Sequence, residues 1–233
     1  MKPGIYEDVS HEQYHQGEFA DHISSSMIRR FLSAPVLYHR AVDVTPEMQF
    51  GTAYHELILE GIEIPKLYKT AAAQEKCEAR AAGMQAAIMS SPKARGLIQN
   101  TRHEVTVLWD EGDMPCKVRL DMWNEELYFC ADLKTAASAS PSGFESATRT
   151  QRYDIQAAWY MRGVAHVLER DDLPAFLFLA QEKKPPYLIG FYDYGPDRVY
   201  NAMAAIDEAL VGIKECQQSG IWPGYADEVV TIY

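Results

Sequence analysis

Asp121, Asp132 and Lys134 are the residues of this 233-residue chain best suited to chemistry. Asp132 and Lys134 flank Leu133, so an extended backbone puts both side chains on one face. Residues 116–123 alternate, with Cys116, Val118, Leu120 and Met122 on one side and Lys117, Arg119, Asp121 and Trp123 on the other. That is the period of a strand. Residues 127–134 also alternate, with Leu127, Phe129, Ala131 and Leu133 opposed to Tyr128, Cys130, Asp132 and Lys134. The turn Asn124-Glu125-Glu126 makes a hairpin of the two segments, which can bring Asp121 beside Asp132. Two such carboxylates suit Mg²⁺, a hard cation that binds through one or two carboxylates plus substrate phosphate. The ion activates water and neutralises charge growing on the phosphorane. A neighbouring ammonium orients the water or stabilises the transition state. An isolated Asp-x-Lys arises about once by chance in a chain of this length, so its meaning depends on the surrounding elements.

Several elements could serve these residues. His55 lies in a segment over 51–60 that reads as a helix ending at Gly61. Glu104 opens a strand over 103–109, and Gln156 and Tyr160 share a face of a helix over 151–169. Ser24-Ser25-Ser26 starts another helix, followed by Ala34-Pro35. Each has an ordinary reading: a core histidine, a packed or solvated Gln/Tyr pair, a serine N-cap.

Taken together and in order, these stretches resemble the PD-(D/E)XK nuclease superfamily, in particular its RecE-type (exonuclease VIII-like) phage exonucleases and more loosely RecB-type nuclease domains. The resemblance is carried by Gly4-Ile5-Tyr6, Ser24 and Ser26, Gly51-Thr52-Ala53-Tyr54-His55, Glu104, Arg119-Leu120-Asp121, Asp132-Leu133-Lys134-Thr135 and Gln156 with Tyr160. It spans residues 4–195. It implies that His55, Asp121 and Asp132 ligate metal with the Leu133 carbonyl, that Lys134 is the catalytic lysine, and that Glu104, Gln156 and Tyr160 line the site. It further implies a 5′→3′ exonuclease acting on duplex ends and leaving a 3′ single strand for recombination. Mg²⁺ is the expected cofactor, with Mn²⁺ as a substitute. Iron–sulfur variants of the family carry a cysteine near the N-terminal helix and a tight cysteine group near the C-terminus. Here the first place holds Ala34, while Cys77, Cys116, Cys130 and Cys216 are scattered, which argues against a cluster and against zinc.

The expected architecture is α/β (α+β): a restriction-endonuclease-like core with a central mixed sheet flanked by helices. One nuclease domain is expected over 1–233. Residues 1–98 are its mainly helical part, 99–195 its catalytic sheet core and 196–233 its C-terminal helix and tail. Strands are expected over 102–110, 116–123, 127–134, 175–180 and 187–194, with helices over 71–90, 151–169 and 196–219. Pro92 breaks the helix that ends at Ser90. The Ala/Ser-rich stretch 135–143 reads as a mobile loop beside the lysine strand. No run is long enough to span a membrane and no secretory leader is recognised. Four cysteines without a framework suit a reducing bacterial cytoplasm.

The net charge of −11 opposes long-range attraction to nucleic acid. Basic residues still cluster locally: Arg29, Arg30 and Arg40, then Lys66 and Lys69, then Arg149 and Arg152. With Ser24 and Ser26, the residues Arg29, Arg30, Arg149 and Arg152 are the expected DNA contacts, through phosphate and without sequence readout. A ring-like homo-oligomer would converge such segments on one channel. A single-strand annealing protein is a further expected partner. Endonuclease action or the other polarity on the same fold is an open alternative, as is a non-catalytic DNA-binding or assembly subunit with a relic site.

Overall fold

The computed structural model describes residues 1–41, 43–225, 227 and 229. Its strands are β1 (Gly4–Tyr6), β2 (Arg102–Glu111), β3 (Met114–Asn124), β4 (Phe129–Ala136), β5 (Ala175–Glu182) and β6 (Ile189–Tyr192). They lie in that order across one sheet. Every neighbouring pair is antiparallel except β4 and β5, which are parallel. That parallel pair needs a crossover. The helices α6 (Pro141–Thr150) and α7 (Tyr153–Val167) supply it. The remaining helices are α1 (His11–His15), α2 (Ser25–Ser33), α3 (Pro46–Leu59), α4 (Ala71–Ser90), α5 (Pro92–Gln99) and α8 (Pro196–Ser219). None is long and apolar enough to cross a membrane.

Three apolar layers cover the sheet. Residues from α2, α7 and α8 pack on one face around Trp109, Trp123 and Trp159. Helices α3, α4 and α5 pack on the other around Phe50, Tyr54, Met84, Met122 and Leu133. A smaller cluster of Val9, Tyr14, Phe19 and Leu108 lies under the N-terminal strap that carries α1. Helix α7 can lie against β2 because residue 163 is glycine: a Cβ there would come within 2.6 Å of the Trp109 ring.

The expected elements are present with four differences. Residues 151–169 do not form one helix; α7 starts at Tyr153, after Arg152 in the left-handed region (φ 49°). The stretch 135–143 is not one loop. Strand β4 continues to Ala136, and α6 begins at Pro141 with Ser140 capping the Gly143 N–H. Pro92 ends one helix and also begins the next, at the N1 position where proline loses no hydrogen bond. The alternation of β3 is interrupted. Cys116, Val118 and Leu120 pack on the α7 side, but Met122 packs on the α3 side and Trp123 returns to the α7 side. The inversion falls where Asp121 stands opposite Glu104, a non-glycine residue at φ 52° that takes β2 out of extended geometry.

The same place opens the sheet. Strands β3 and β4 pair only over Met122–Asn124 against Phe129–Ala131. Further along β3, Ile23 takes the empty edge through Ile23 N–H to Pro115 O and Lys117 N–H to Ile23 O, both 2.8 Å. The result is a fork, with Asp121 on one prong and Asp132 on the other.

Candidate active site

Asp121 bridges the fork itself. Its Oδ2 accepts the Leu133 N–H at 2.9 Å, in place of a strand carbonyl. The same oxygen lies 3.3 Å from His55 Nδ1. His55 is aimed by α3, which Thr45 caps at the Met48 N–H and whose Phe50, Ala53, Tyr54 and Ile58 face the core. Tyr54 fixes the helix further: its hydroxyl donates to Gln181 Oε1 at 2.6 Å, and Gln181 Nε2 donates to Met84 O at 2.8 Å. This buried, fully satisfied chain ties α3 to β5 and α4.

Asp132 faces α7 and is almost fully enclosed. Gln156 Nε2 donates to its Oδ1 at 2.6 Å and reaches the Tyr160 hydroxyl at 3.0 Å. Its Oδ2 lies 2.6 Å from Lys134 Nζ, but it is buried without a partner in hydrogen-bonding geometry. Lys134 also stands over the Tyr153 ring, 4.8 Å from its centroid. Glu104 Oε2 lies 3.2 Å from Arg119 Nε, and Arg119 is anchored in turn on the Val9 carbonyl of the strap.

Burial and crowding set the protonation states. Burial pushes the Asp132 carboxyl up, and the Asp121 charge adds to it, against the pull of Lys134. Burial and then Asp121 likewise raise Glu104, opposed by Arg119. Burial would also raise Asp121, but the charge and hydrogen bond of His55, with Lys134 and the Leu133 N–H, bring it below its ordinary value. Burial would lower His55 and Lys134; Asp121 raises the first and Asp132 the second. Carboxylates held at a cost beside one another are a mark of functional sites.

The two carboxylates suit a hard divalent cation, and the His55 imidazole adds a nitrogen donor that a transition ion such as Mn²⁺ accepts more readily than Mg²⁺. Among the described residues, no three His, Cys, Asp or Glu side chains already stand together as a ready cage. Asp121 is engaged with His55 and Asp132 with Lys134, so ion binding would exchange these internal pairs for the metal.

A groove of about 1210 Å³ runs past the Asp121 prong of the fork; Asp132 and Lys134 are not in its lining. Its lining includes His55, Glu104, Asp121, Gln156 and Tyr160, and also Ser24, Ser26, Arg29 and Arg30. Ser24 occupies the N-cap position of α2, but its hydroxyl makes no cap and pairs with Ser26 Oγ at 3.0 Å instead. Arg29 donates to Gln151 O at 2.9 Å and Arg30 to Tyr38 O at 3.1 Å. Arg149 and Arg152 do not join them; they pair with Glu145 and Asp154 at 2.6 and 3.2 Å. Arg40 lines the groove, whereas Lys66 and Lys69 do not.

Three residues went unrecognised as parts of this construction. Lys117 is buried and donates to Tyr14 O and Phe19 O, both at 2.6 Å, pinning the strap to β3. Tyr153 sits under Lys134, and Gln181 locks α3. A lone polar residue in an alternating strand reads as solvent-facing, which hid Lys117; Gln181 lies just past the strand expected over 175–180, and no sequence signal marked Tyr153.

The fold is shared with a crystal structure described as "Putative exonuclease" from Eubacterium rectale. It is 15% identical, with a TM-score of 0.75, covering 97% of this chain and 96% of that one. A second solved structure, of SSO0001, is 14% identical over 85% of this chain and 93% of its own, at a TM-score of 0.34 that carries no argument. No curated protein matches the chain. Residues 24–232 match the family model described as a PDDEXK-like domain of unknown function (DUF3799), and the chain belongs to that family.

Proposed function

We propose that the chain is a Mg²⁺-dependent DNA exonuclease. The observation that carries this reading is the convergence of His55, Asp121, Asp132 and Lys134 at the fork, with two buried carboxylates set beside one another. His55, Asp121 and Asp132, with the Leu133 carbonyl, are the residues that would hold the ion. When bound, the ion supplies Lewis-acid activation of water and neutralises phosphate charge. Lys134, held as an ammonium by Asp132, stabilises charge on the phosphoryl oxygens. Gln156 and Tyr160 fix Asp132 in one orientation, and Glu104 lines the groove beside Asp121. Ser24, Ser26, Arg29 and Arg30 contact DNA phosphates in the same groove.

The resemblance to RecE-type enzymes favours attack at duplex ends, 5′→3′, leaving a 3′ strand for recombination and a single-strand annealing partner; the name given to the Eubacterium rectale protein supports exonuclease action alone. A closed ring of copies would concentrate the few basic groove residues of a chain of charge −11 around the substrate. Free, buried cysteines suit the reducing interior of a bacterial cell. The test is digestion of linear duplex, labelled at either end, beside a closed circle, with and without Mg²⁺. Loss of label from 5′ ends of the linear form alone is expected. Cutting of the circle would establish endonuclease action instead.

A further inference from the structure

His39 and Arg40 line the groove and are exposed, yet the chain carrying them is neither helix nor strand. It leaves the single 3₁₀ turn Pro35–Leu37 as a further turn over Tyr38 and His39. Local hydrogen bonds, Tyr38 N–H to Pro35 O and Arg40 N–H to Leu37 O, shape the turn, and contacts from outside hold it in place. The C-terminal tail supplies these contacts. Gly220, in the left-handed region at φ 70°, turns the chain off the end of α8. Trp222 then stacks flat on Tyr38, centroids 4.8 Å apart at 14°, and meets His39 edge-on at 4.8 Å. It also meets Phe31 edge-on at 6.3 Å. The Val36 N–H donates to Pro223 O at 3.0 Å, adding a backbone tie beside the rings.

The pin reaches the basic side of the groove. Tyr38 is 1% exposed, and its carbonyl accepts Arg30 Nε at 3.1 Å. Fixing Tyr38 therefore fixes Arg30 on one side and Arg40, two residues on, on the other. These arginines matter because Lys117 is committed to strap carbonyls and Arg119 to Glu104 and Val9, whereas the bond from Arg30 to Tyr38 O uses only its Nε. The groove also carries Glu7, Asp8, Glu56 and Glu60, so a phosphate backbone needs the arginines held in register. Trp222 itself is not part of the groove lining.

We infer that Trp222 is a positioning residue for the substrate: the tail staples the Tyr38–Arg40 segment into a phosphate-gripping wall. This rests on the nuclease reading of the site. Its effect falls on DNA affinity and not on the cleavage step, since Trp222 touches neither Asp121, Asp132 nor Lys134.

The experiment compares wild type, Trp222→Ala and Trp222→Phe. DNA affinity is read by fluorescence anisotropy with Ca²⁺ replacing Mg²⁺, cleavage by single turnover at saturating DNA with Mg²⁺, and local order by amide hydrogen exchange. Trp222→Ala is expected to weaken DNA binding roughly tenfold, the order of one lost aromatic contact. Its single-turnover rate should stay within about twofold, because transition-state contacts are intact. Faster exchange should be confined to residues 36–41, and Trp222→Phe should recover most of the affinity. Wild-type affinity in a folded Trp222→Ala variant would overturn the inference. So would faster exchange spread through the sheet without rescue by phenylalanine, which would make Trp222 a stability residue only. Wild-type protein that neither binds nor cuts DNA would overturn the nuclease reading, and this inference with it.

Discussion

Lys117 and Lys134 sit inside the protein on neighbouring strands, and they are held in opposite ways. Lys117 is surrounded by neutral acceptors, the carbonyls of Tyr14, Phe19 and Ala20. Burial pushes its pKa down to about 8, with only Asp21 pulling the other way. Lys134 faces the Asp132 carboxylate, whose attraction outweighs burial and raises its pKa. The first ammonium completes a set of hydrogen bonds that fastens the N-terminal strap. The second is one member of a crowd of charges in which burial and the Asp121 charge work against ionisation of Asp132. Satisfied polar groups inside a protein hold structure; those left in conflict mark the place where a ligand or a reaction is to resolve the conflict.

Exchanging the two lysines in turn tests that contrast. Lys134→Met is expected to lower cleavage by roughly 10²- to 10³-fold, the order for removing one group that stabilises transition-state charge. Its melting temperature should fall as Asp132 loses its cation, and DNA binding should persist. Lys117→Met should lose stability and keep cleavage. Leaving strap carbonyls without a donor costs about 1–3 kcal/mol each at most, which is several degrees of melting temperature in a chain of this size. Cleavage below the melting point should remain within a few-fold. A Lys117→Met variant that melts like wild type but no longer cuts DNA would reverse the assignment.

The pH dependence of stability separates the two regions by sign. In metal-free protein, Asp132, Glu104 and His55 have raised pKa values. Folding then favours their protonated forms, so this stabilisation is present at low pH and lost as pH rises from about 4 through neutrality. Lys117 has a lowered value, about 8. Folding disfavours its charged form, so stability rises with pH from there to about 10.4, the ordinary lysine value. Melting temperatures against pH in chelator, compared with Asp132→Asn and Lys117→Met, should show each slope flattened in its own window. The wild-type-minus-variant difference should have opposite signs in the two windows, and the same sign in both would contradict the shifts. The total alkaline slope is not diagnostic, because burial raises the Cys116 and Cys130 thiols and they lose stability there.

The smallest effect is expected at Arg149. It is exposed, pairs with Glu145 on its own helix and lies outside the groove, so Arg149→Ala should change cleavage less than about twofold. Arg29→Ala should cost more, because that side chain lines the groove. Equal losses would extend the DNA path over α6.

Much of this was legible from residue type and spacing. The alternation in β4 put Asp132 and Lys134 on one face, the i, i+4 pair Gln156 and Tyr160 did come to the site, and His55 did reach Asp121. What escaped depended on backbone geometry and distant partners. The inversion of β3 at Asp121 follows from one residue, Glu104, at a positive φ that no hydrophobic pattern reports. The Ala/Ser-rich stretch 135–143 reads as loop and so hides the first turn of α6, although Ser140-Pro141 carries a helix-start signal. Arg149 and Arg152 looked like groove residues because they flank the site helix, but each is turned to a carboxylate of its own neighbourhood.

The most direct test of the central claim is the rate at which wild type and Asp132→Asn hydrolyse a linear duplex across a range of Mg²⁺ concentrations, with folding matched by melting temperature. The account predicts Mg²⁺-dependent hydrolysis by wild type and none above background for Asp132→Asn, which should melt at or above the wild-type temperature once the carboxylate repulsion is relieved. Near-wild-type turnover by Asp132→Asn would contradict it.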